Sequence, residues 1–210
     1  MKDLYFFLGH LDDFEISCIG FLYENHKNYD NIKIVIASQW ESKKYIWKNN
    51  LKEIEKHFGI DISYVNLGFD QRTLMTNFDD VKDKFYTNID FNNRFDIVTH
   101  DLEDCHTDHV ACNMIANGMF KYTSSFYTVY SPSSRNFKAN YWIALPDFIY
   151  SLKKKCVDKY DISNEQSYSR LGYYIQSEVH YNIGMSYHLE NFVHQDSSFY
   201  ETYRILKMSK

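Results

Sequence analysis

Leu4-Tyr5-Phe6-Phe7-Leu8 is followed directly by Gly9-His10-Leu11-Asp12-Asp13, so an apolar run of strand length ends in a cluster of polar side chains. Four more apolar runs of this kind follow, at residues 32–37, 62–67, 95–99 and 126–130. Stretches with helical spacing separate them, at residues 13–24, 44–58, 78–88 and 109–122. Nearly continuous apolar runs are typical of parallel strands covered on both faces. The alternation predicts a Rossmann-like, doubly wound α/β fold, with helices on both faces of a mostly parallel sheet.

The pattern changes after Ser131. Residues 132–136 are expected to form a loop, residues 141–145 a further strand, and residues 146–160 and 173–192 two helices. No internal repeat and no low-complexity segment marks a second domain. We therefore expect one domain over residues 1–210, with an α/β core at about residues 1–131 and a C-terminal extension, about residues 132–210, that packs on the core.

Composition argues against several classes of protein. The chain has 210 residues, of which 44% are hydrophobic and 24% charged, as is typical of a folded domain. A formal net charge of −5 without a long basic run argues against an obligate nucleic-acid partner. No apolar stretch is long enough to span a membrane, and no signal-peptide pattern is present. Four cysteines without CxxC spacing indicate reduced thiols in a cytoplasmic protein: Cys18, Cys105, Cys112 and Cys156.

A second polar cluster, Asp104-Cys105-His106-Thr107-Asp108-His109, lies just after the fourth apolar run. Both clusters therefore follow the carboxyl ends of predicted strands, where open α/β sheets bind their ligands. In a sheet with the strand order 3-2-1-4, the first and fourth strands are neighbours. The two clusters are then expected to face each other, although they lie about 95 residues apart in the sequence.

Residue type and spacing in these clusters indicate a metal site. His10 and Asp13 are three residues apart, as are His106 and His109, so each pair can point into one crevice. Two imidazoles, one carboxylate and a water make a catalytic zinc site. A remaining carboxylate can act as a general base, and a remaining imidazole can stabilise an oxyanion and protonate a leaving group. Spacing does not say which histidine binds metal, and either motif alone is more typical of a loop or a helix N-terminus.

The two motifs resemble those of the PIG-L / LmbE-like family of zinc-dependent N-acetylglucosaminyl deacetylases. The first is similar to the family's Ala-His-Pro-Asp-Asp-Glu, with Leu11 in place of proline. Thr99-His100 and the second polar cluster resemble its Thr-His…Asp-x-His-x-Asp-His. A weaker likeness continues through residues 130–141, 153–166 and 184–192, so the resemblance spans nearly the whole chain.

The resemblance implies a role for each residue of the two motifs. His10, Asp13 and His109 would bind zinc, or Fe²⁺ or another divalent metal in its place. Asp12 would be the general base that activates water, and His106 would stabilise the tetrahedral intermediate and assist departure of the amine. These assignments come from the family pattern, because the spacing of the residues does not separate one histidine from the other.

The implied reaction is hydrolysis of a linear amide, in which metal-bound water attacks the N-acetyl group of an amino sugar and acetate is released. The implied partner is a small N-acetylated sugar or nucleotide sugar, such as a glycan precursor. Asp108 would orient a histidine, and His100 and Asp104 would have buried hydrogen-bonding roles. The sequence is also compatible with a homo-oligomer.

The chain departs from the family pattern where substrate is contacted. Relatives often carry an Arg…Glu pair on the helix after the second strand, but this chain has Trp47-Lys48-Asn49-Asn50 there. Tyr130 stands in place of a glutamate, and Ile19 in place of the first glycine of a pair. The sequence therefore supports zinc hydrolysis more strongly than it supports any particular sugar.

Two other functions are compatible with the same residues. Two histidines and one carboxylate also form the facial triad of non-haem Fe(II) oxygenases, although that triad usually lies on an all-β jelly roll. A non-catalytic sugar-binding protein could also have kept the fold. Six other residues could also have a function. His180, His188 and His194 could line a sugar cleft. Arg72 and Arg135 could meet a phosphate, and Cys105 could act as a nucleophile, but core and surface roles are commoner for all six.

Overall fold

A computed structural model describes residues 1–39, 41–161 and 200–208. Its strands are β1 (Lys2–Leu8), β2 (Asn31–Ser38), β3 (Ser63–Phe69), β4 (Arg94–His100), β5 (Ser125–Val129), β6 (Tyr141–Ala144) and β7 (Tyr200–Met208). Its helices are α1 (Asp13–Ser17), α2 (Ile19–Asn25), α3 (Lys44–Phe58), α4 (Phe78–Tyr86), α5 (Thr107–Asn117) and α6 (Asp147–Asp161). Strands and helices alternate along the first 130 residues, as the sequence predicts.

All seven strands belong to one sheet, in the order β3-β2-β1-β4-β5-β7-β6. The first five strands of that order are parallel, whereas β7 is antiparallel to both of its neighbours. The expected 3-2-1-4 order is therefore confirmed, and the protein is α/β with a mostly parallel sheet. Because Phe7 of β1 lies opposite Thr99 of β4, the two strands end side by side.

The sheet separates two apolar cores. Successive β1 side chains alternate between them, since neighbouring residues of a strand point to opposite faces. Leu4, Phe6 and Leu8 pack in the core that contains residues of α1, α2, α3 and α6. Tyr5 and Phe7 pack in the core that contains residues of α4 and α5. Each large apolar side chain buried there contributes about 1.5–3 kcal/mol, so β1 is a firm base for the residues that follow it.

The helix bounds match the predicted pattern in part. α3 runs over the predicted residues and ends at Gly59, whose φ of 65° is the left-handed conformation that glycine favours at a helix C-terminus. The prediction of a single helix over residues 13–24 is wrong. Cys18 leaves the helical conformation, with a φ of −130°, and two short helices form on either side of it. α5 begins two residues earlier than predicted, since the His106 side chain caps it by accepting from the Asp108 N–H at 3.3 Å.

Two strands differ from expectation. β3 is an edge strand with exposed residues such as Ser63 and Tyr64, so the prediction that every strand is covered on both faces is wrong there. β7 was not predicted at all. It carries the buried Glu201, which accepts hydrogen bonds from the Gly20 N–H at 2.7 Å and the Lys153 ammonium at 2.5 Å.

The described ranges leave one predicted element aside. The helix expected at residues 173–192 lies outside the described residues.

The four cysteines are free thiols, as predicted from their spacing, and only Cys105 of these four is exposed. None of the helices in the described ranges has the length and hydropathy that a membrane-spanning helix requires.

Candidate metal centre

The two polar clusters meet at the carboxyl ends of β1 and β4. His10 Nδ1 lies 3.2 Å from His109 Nε2, although 99 residues separate them in sequence. Gly9 permits this approach, because a Cβ at residue 9 would lie only 3.0 Å from Cδ2 of His109. With a Cβ at this position, the His109 ring would have to shift by a few tenths of an ångström.

Three residues at this junction have donor atoms at the spacing of a metal site, with Asp13 facing His10 through one carboxylate oxygen and His109 through the other. His10 Nδ1 is 3.2 Å from His109 Nε2 and 3.3 Å from Asp13 Oδ2, and His109 Nε2 is 3.4 Å from Asp13 Oδ1. Tetrahedral zinc with ligands at about 2.0–2.1 Å separates neighbouring ligand atoms by about 3.3 Å. The donor set of two imidazoles and one carboxylate therefore fits a single divalent ion.

Two further histidines border the same space. Ligand atoms of His10, His106 and His109 all lie within 4.8 Å of one another, and so do those of Asp13, His100 and His109. His109 belongs to both groups, which places it at the middle of the cluster. The ring of His100 stacks on the ring of His109, with centroids 3.6 Å apart and planes 3° from parallel.

A carboxylate orients His109 from its far side. His109 Nδ1 contacts Asp104 Oδ2 at 3.0 Å, which leaves Nε2 directed toward His10 and Asp13. Asp104 is itself held by the hydroxyls of Ser131 and Ser133 and by the His106 N–H at 2.8 Å. Burial opposes ionisation of Asp104, but the contact with His109 outweighs it and lowers the pKa of this carboxyl. Such outer carboxylates fix the tautomer of a metal-binding histidine.

His10 has a matching partner. Its Nε2 lies 3.2 Å from Asp108 Oδ2, which leaves Nδ1 facing His109 and Asp13. Asp108 also accepts hydrogen bonds from the backbone N–H groups of Arg72 at 2.6 Å and Leu74 at 3.3 Å. Asp108 thus lies where it can orient a histidine, as the family resemblance implied, and the histidine it contacts is His10.

Asp13 carries the negative charge at the centre of the cluster. Its Oδ2 accepts from the His10 N–H at 2.7 Å and lies 3.1 Å from His100 Nε2. Burial disfavours the charged carboxylate, but the neighbouring histidines, His109 foremost, outweigh burial and hold the pKa of Asp13 well below its usual range. Asp13 is therefore a carboxylate at neutral pH, the form in which it could bind a metal ion.

The same charge acts on the two histidines. Burial alone would lower the pKa of His10 and of His109, but the Asp13 carboxylate raises them, to about 10 and about 9 respectively. His10 Nδ1 and His109 Nε2 face each other at 3.2 Å, a hydrogen-bond distance at which one nitrogen donates and the other accepts, so the metal-free pair shares one extra proton at neutral pH. A site that stabilises positive charge in a buried position is suited to a divalent cation.

We expect zinc affinity to increase steeply with pH. Zinc bound through His10 Nδ1 and His109 Nε2 would displace the one extra proton that these facing nitrogens share, so binding would release it below about pH 9. One released proton makes the affinity rise about tenfold per pH unit. Calorimetric zinc titrations between pH 6.5 and 8.5, in buffers of different protonation enthalpy, measure the affinity and the number of protons released. Affinity that is flat above about pH 7.5 would show histidines of ordinary pKa and contradict this electrostatic account.

Asp12 and His106 are the two remaining residues of the motifs, and both interact with His10. Asp12 is buried but makes no capping hydrogen bond to α1, and it is near enough that its charge raises the pKa of His10. His106 is half-buried, with its ring 4.6 Å from that of His10 and 4.7 Å from that of His109. Burial and the positive charges of these two histidines lower the pKa of His106 to about 4. Because its Nδ1 accepts the Asp108 N–H, neutral His106 carries its proton on Nε2.

Sequence reasoning missed part of this arrangement. Ser131 and Ser133 had been noted only as part of a weak likeness, yet both contact Asp104. Nothing in the sequence predicts a role for the backbone of Arg72, whose side chain is expected at most to meet a phosphate or to lie on the surface. Arg135 and Cys105 are exposed on loops beside the cluster. His180, His188 and His194 lie outside the described residues.

Comparisons with known proteins give structural relatives only. No protein-family model matches the chain, and no curated protein matches it in sequence. The N,N′-diacetylchitobiose deacetylase of Pyrococcus horikoshii is similar with a TM-score of 0.62 at 14% identity, covering 98% of this chain and 84% of that one. A zinc-inhibited form of teicoplanin deacetylase is similar with a TM-score of 0.64 at 11% identity, covering 97% of both chains.

A third relative has a different activity. The 4-carboxy-2-hydroxymuconate hydratase of Pseudomonas putida is similar with a TM-score of 0.60 at 13% identity, covering 98% of this chain and 96% of that one. Identities this low establish the fold and leave the reaction to be argued from the site. The chain therefore has a fold that also occurs in sugar-related deacetylases and in a hydratase.

Proposed function

We propose that this protein is a metal-dependent hydrolase that removes an N-acetyl group from an amino sugar. The observation that carries the proposal is the triangle formed by His10 Nδ1, His109 Nε2 and the Asp13 carboxylate, with separations of 3.2–3.4 Å. Zn²⁺ is the ion that this donor set fits best, and Fe²⁺ or another divalent metal is the alternative. When bound, the ion would act as a Lewis acid toward a carbonyl oxygen and lower the pKa of a bound water.

Asp12 and His106 would then have complementary roles. Asp12 is an acceptor beside the three ligands, so it can take the proton that water loses as it attacks the acetamide carbonyl. His106 can donate its Nε2 proton in a hydrogen bond to the oxygen that becomes negative. The C–N bond then breaks, the amine takes up the proton that Asp12 received, and acetate leaves.

The substrate class rests on the structural relatives as well as on the site. Two of them are deacetylases, one named for N,N′-diacetylchitobiose and one for teicoplanin. The hydratase relative shows that the fold alone does not specify amide hydrolysis. We propose an N-acetylated sugar or nucleotide-linked sugar because Asp12 and His106 could supply the general base and the oxyanion donor that amide hydrolysis requires, and because one relative is named for an N-acetylated sugar.

A screen for acetate release tests the proposal. Purified protein is loaded with Zn²⁺, or with Fe²⁺ under anaerobic conditions, and incubated with N-acetylated monosaccharides, chitobiose and nucleotide sugars. We expect acetate and a free amine in equal amounts from at least one sugar, with release slowed by about 100-fold or more after Asp12→Asn. Oxygen consumption coupled to product would indicate the oxygenase alternative. Sugar affinity without turnover under every metal condition would indicate a binding protein, and either outcome would overturn the proposal.

A further inference from the structure

The loop between β3 and α4, residues 70–77, contacts the metal centre through its backbone. The loop is folded on itself: the Thr73 N–H and hydroxyl both donate to the carbonyl of Asp70, and the Asn77 N–H donates to the carbonyl of Thr73. Arg72 in this loop has a φ of +64°. Among the described residues, it is the one non-glycine residue in the left-handed region.

Two N–H groups of the loop converge on one buried carboxylate. The Arg72 N–H donates to Asp108 Oδ2 at 2.6 Å, and the Leu74 N–H donates to Asp108 Oδ1 at 3.3 Å. Asp108 is completely buried, so these bonds replace hydration that the carboxylate has lost. Together with the bond to His10 Nε2, they hold both oxygens of the carboxylate, which cannot rotate without breaking a contact.

The left-handed residue is what allows this convergence. Backbone N–H groups point at one anion when a left-handed residue turns the chain between them, as in the nests that bind anions in other proteins. An L-residue other than glycine adopts this conformation only when its surroundings hold it there. The Arg72 side chain is exposed, so no packing of that side chain explains the conformation. The hydrogen bond to the buried Asp108 does explain it.

We propose that the backbone of Arg72 and Leu74 is a clamp that positions the metal centre through Asp108. The clamp keeps Asp108 Oδ2 beside His10 Nε2, so the proton of His10 stays on Nε2 and Nδ1 remains available for the ion. This inference rests on the proposed metal-dependent function. In it, Arg72 is a positioning residue that acts by its N–H and its φ angle, and its guanidinium group has no part.

Three variants separate the backbone role from a side-chain role. Arg72→Gly removes the side chain but adopts a positive φ readily, whereas Arg72→Val disfavours it strongly. Gln71→Val is the matched control, a β-branched residue at the neighbouring exposed position. We expect the zinc Kd to rise by about 10–100-fold in Arg72→Val, the usual effect of losing an outer-shell partner. Arg72→Gly and Gln71→Val should stay within about threefold of the wild type.

The tautomer of His10 gives a readout that a change in overall stability would not move. In the zinc-bound wild type, long-range ¹H–¹⁵N spectra should show His10 protonated at Nε2 and coordinated through Nδ1. This signature should persist in Arg72→Gly and be lost or broadened in Arg72→Val. If Arg72→Gly loses affinity as Arg72→Val does, the guanidinium is responsible, and if Arg72→Val is unchanged, the loop is not a clamp; either result overturns the proposal.

Hydrogen exchange in the metal-free protein tests the clamp independently of zinc binding. The Arg72 amide should be protected from exchange in the wild type, and Asp108→Ala should remove that protection. Rapid exchange of the Arg72 amide in the wild type would overturn the clamp. A wild type that is protected at Arg72 but binds no divalent metal would instead contradict the proposed function, so the two failures are distinguishable.

Discussion

Replacement of Asp12 by asparagine is expected to slow acetate release by about 10²–10⁴-fold, the usual contribution of a general base, and to leave metal affinity close to the wild-type value. The asparagine amide has nearly the same shape but cannot accept the proton of the attacking water. Asp12 contributes no atom to the triangle of His10, Asp13 and His109, so the ligand geometry should survive. Initial rates of acetate release and zinc titration of the same sample measure the two effects.

A surface carboxylate provides the matched control for Asp12→Asn. Asp79 lies on α4 and pairs with Lys82 at 2.5 Å, with 83% of its side chain exposed. Asp79→Asn removes the same charge at a distance from the cluster and should leave the rate unchanged, because exposed ion pairs contribute little. Undiminished acetate release by Asp12→Asn with a full complement of metal would show that another group accepts the proton.

Replacement of Asp13 by asparagine is expected to abolish metal binding and, with it, activity. The substitution removes a ligand, so the loss of zinc affinity should exceed the about 10–100-fold that follows removal of an outer-shell partner. It also removes the charge that raises the pKa of His10 and of His109. Both histidines should therefore titrate at lower pH in the metal-free variant, because burial alone lowers their pKa.

Glu15 supplies the control for Asp13→Asn. It lies two residues further along α1 and is also completely buried, and burial raises its pKa to about 8. Since Glu15 is then mostly protonated at pH 7, Glu15→Gln changes little charge, and the glutamine oxygen can still accept from Asn50 and Tyr160. Calorimetric zinc titrations and NMR titration of the histidines compare the variants. Equal losses in Asp13→Asn and Glu15→Gln would mean that folding of α1, and not ligation by Asp13, controls metal binding.

The sequence predicted those strands of the sheet that can be recognised from their own apolar residues. β1 and β4 each carry a mostly apolar run, which is the pattern of buried parallel strands, and their adjacency follows from the 3-2-1-4 strand order that is common in doubly wound sheets. β7 was missed because it is defined by its neighbours: it pairs with β5 and β6, and its buried Glu201 is stabilised by Gly20 and Lys153, which lie far away in sequence. A buried glutamate argues against a core strand until its partners are known.

The candidate site also has a part that the sequence predicted and a part that it did not. His10, Asp12, Asp13, His106 and His109 stand in two short motifs, and the structure brings the two motifs together. The outer contacts come from other parts of the chain, namely the hydroxyls that hold Asp104 and the N–H groups that hold Asp108. A backbone N–H has no residue type, so no motif could have revealed those donors to Asp108. The left-handed conformation at residue 72 was equally hidden, because arginine rarely adopts it.

The most direct test is a crystal structure of the protein grown with Zn²⁺, with anomalous diffraction measured on both sides of the zinc absorption edge. We predict one ion per chain, bound by His10 Nδ1, His109 Nε2 and an oxygen of Asp13 at about 2.0–2.2 Å. His10 Nε2 should remain on Asp108 and His109 Nδ1 on Asp104. An ion held elsewhere in the chain, or no anomalous peak within reach of these three residues at saturating zinc, would contradict the account.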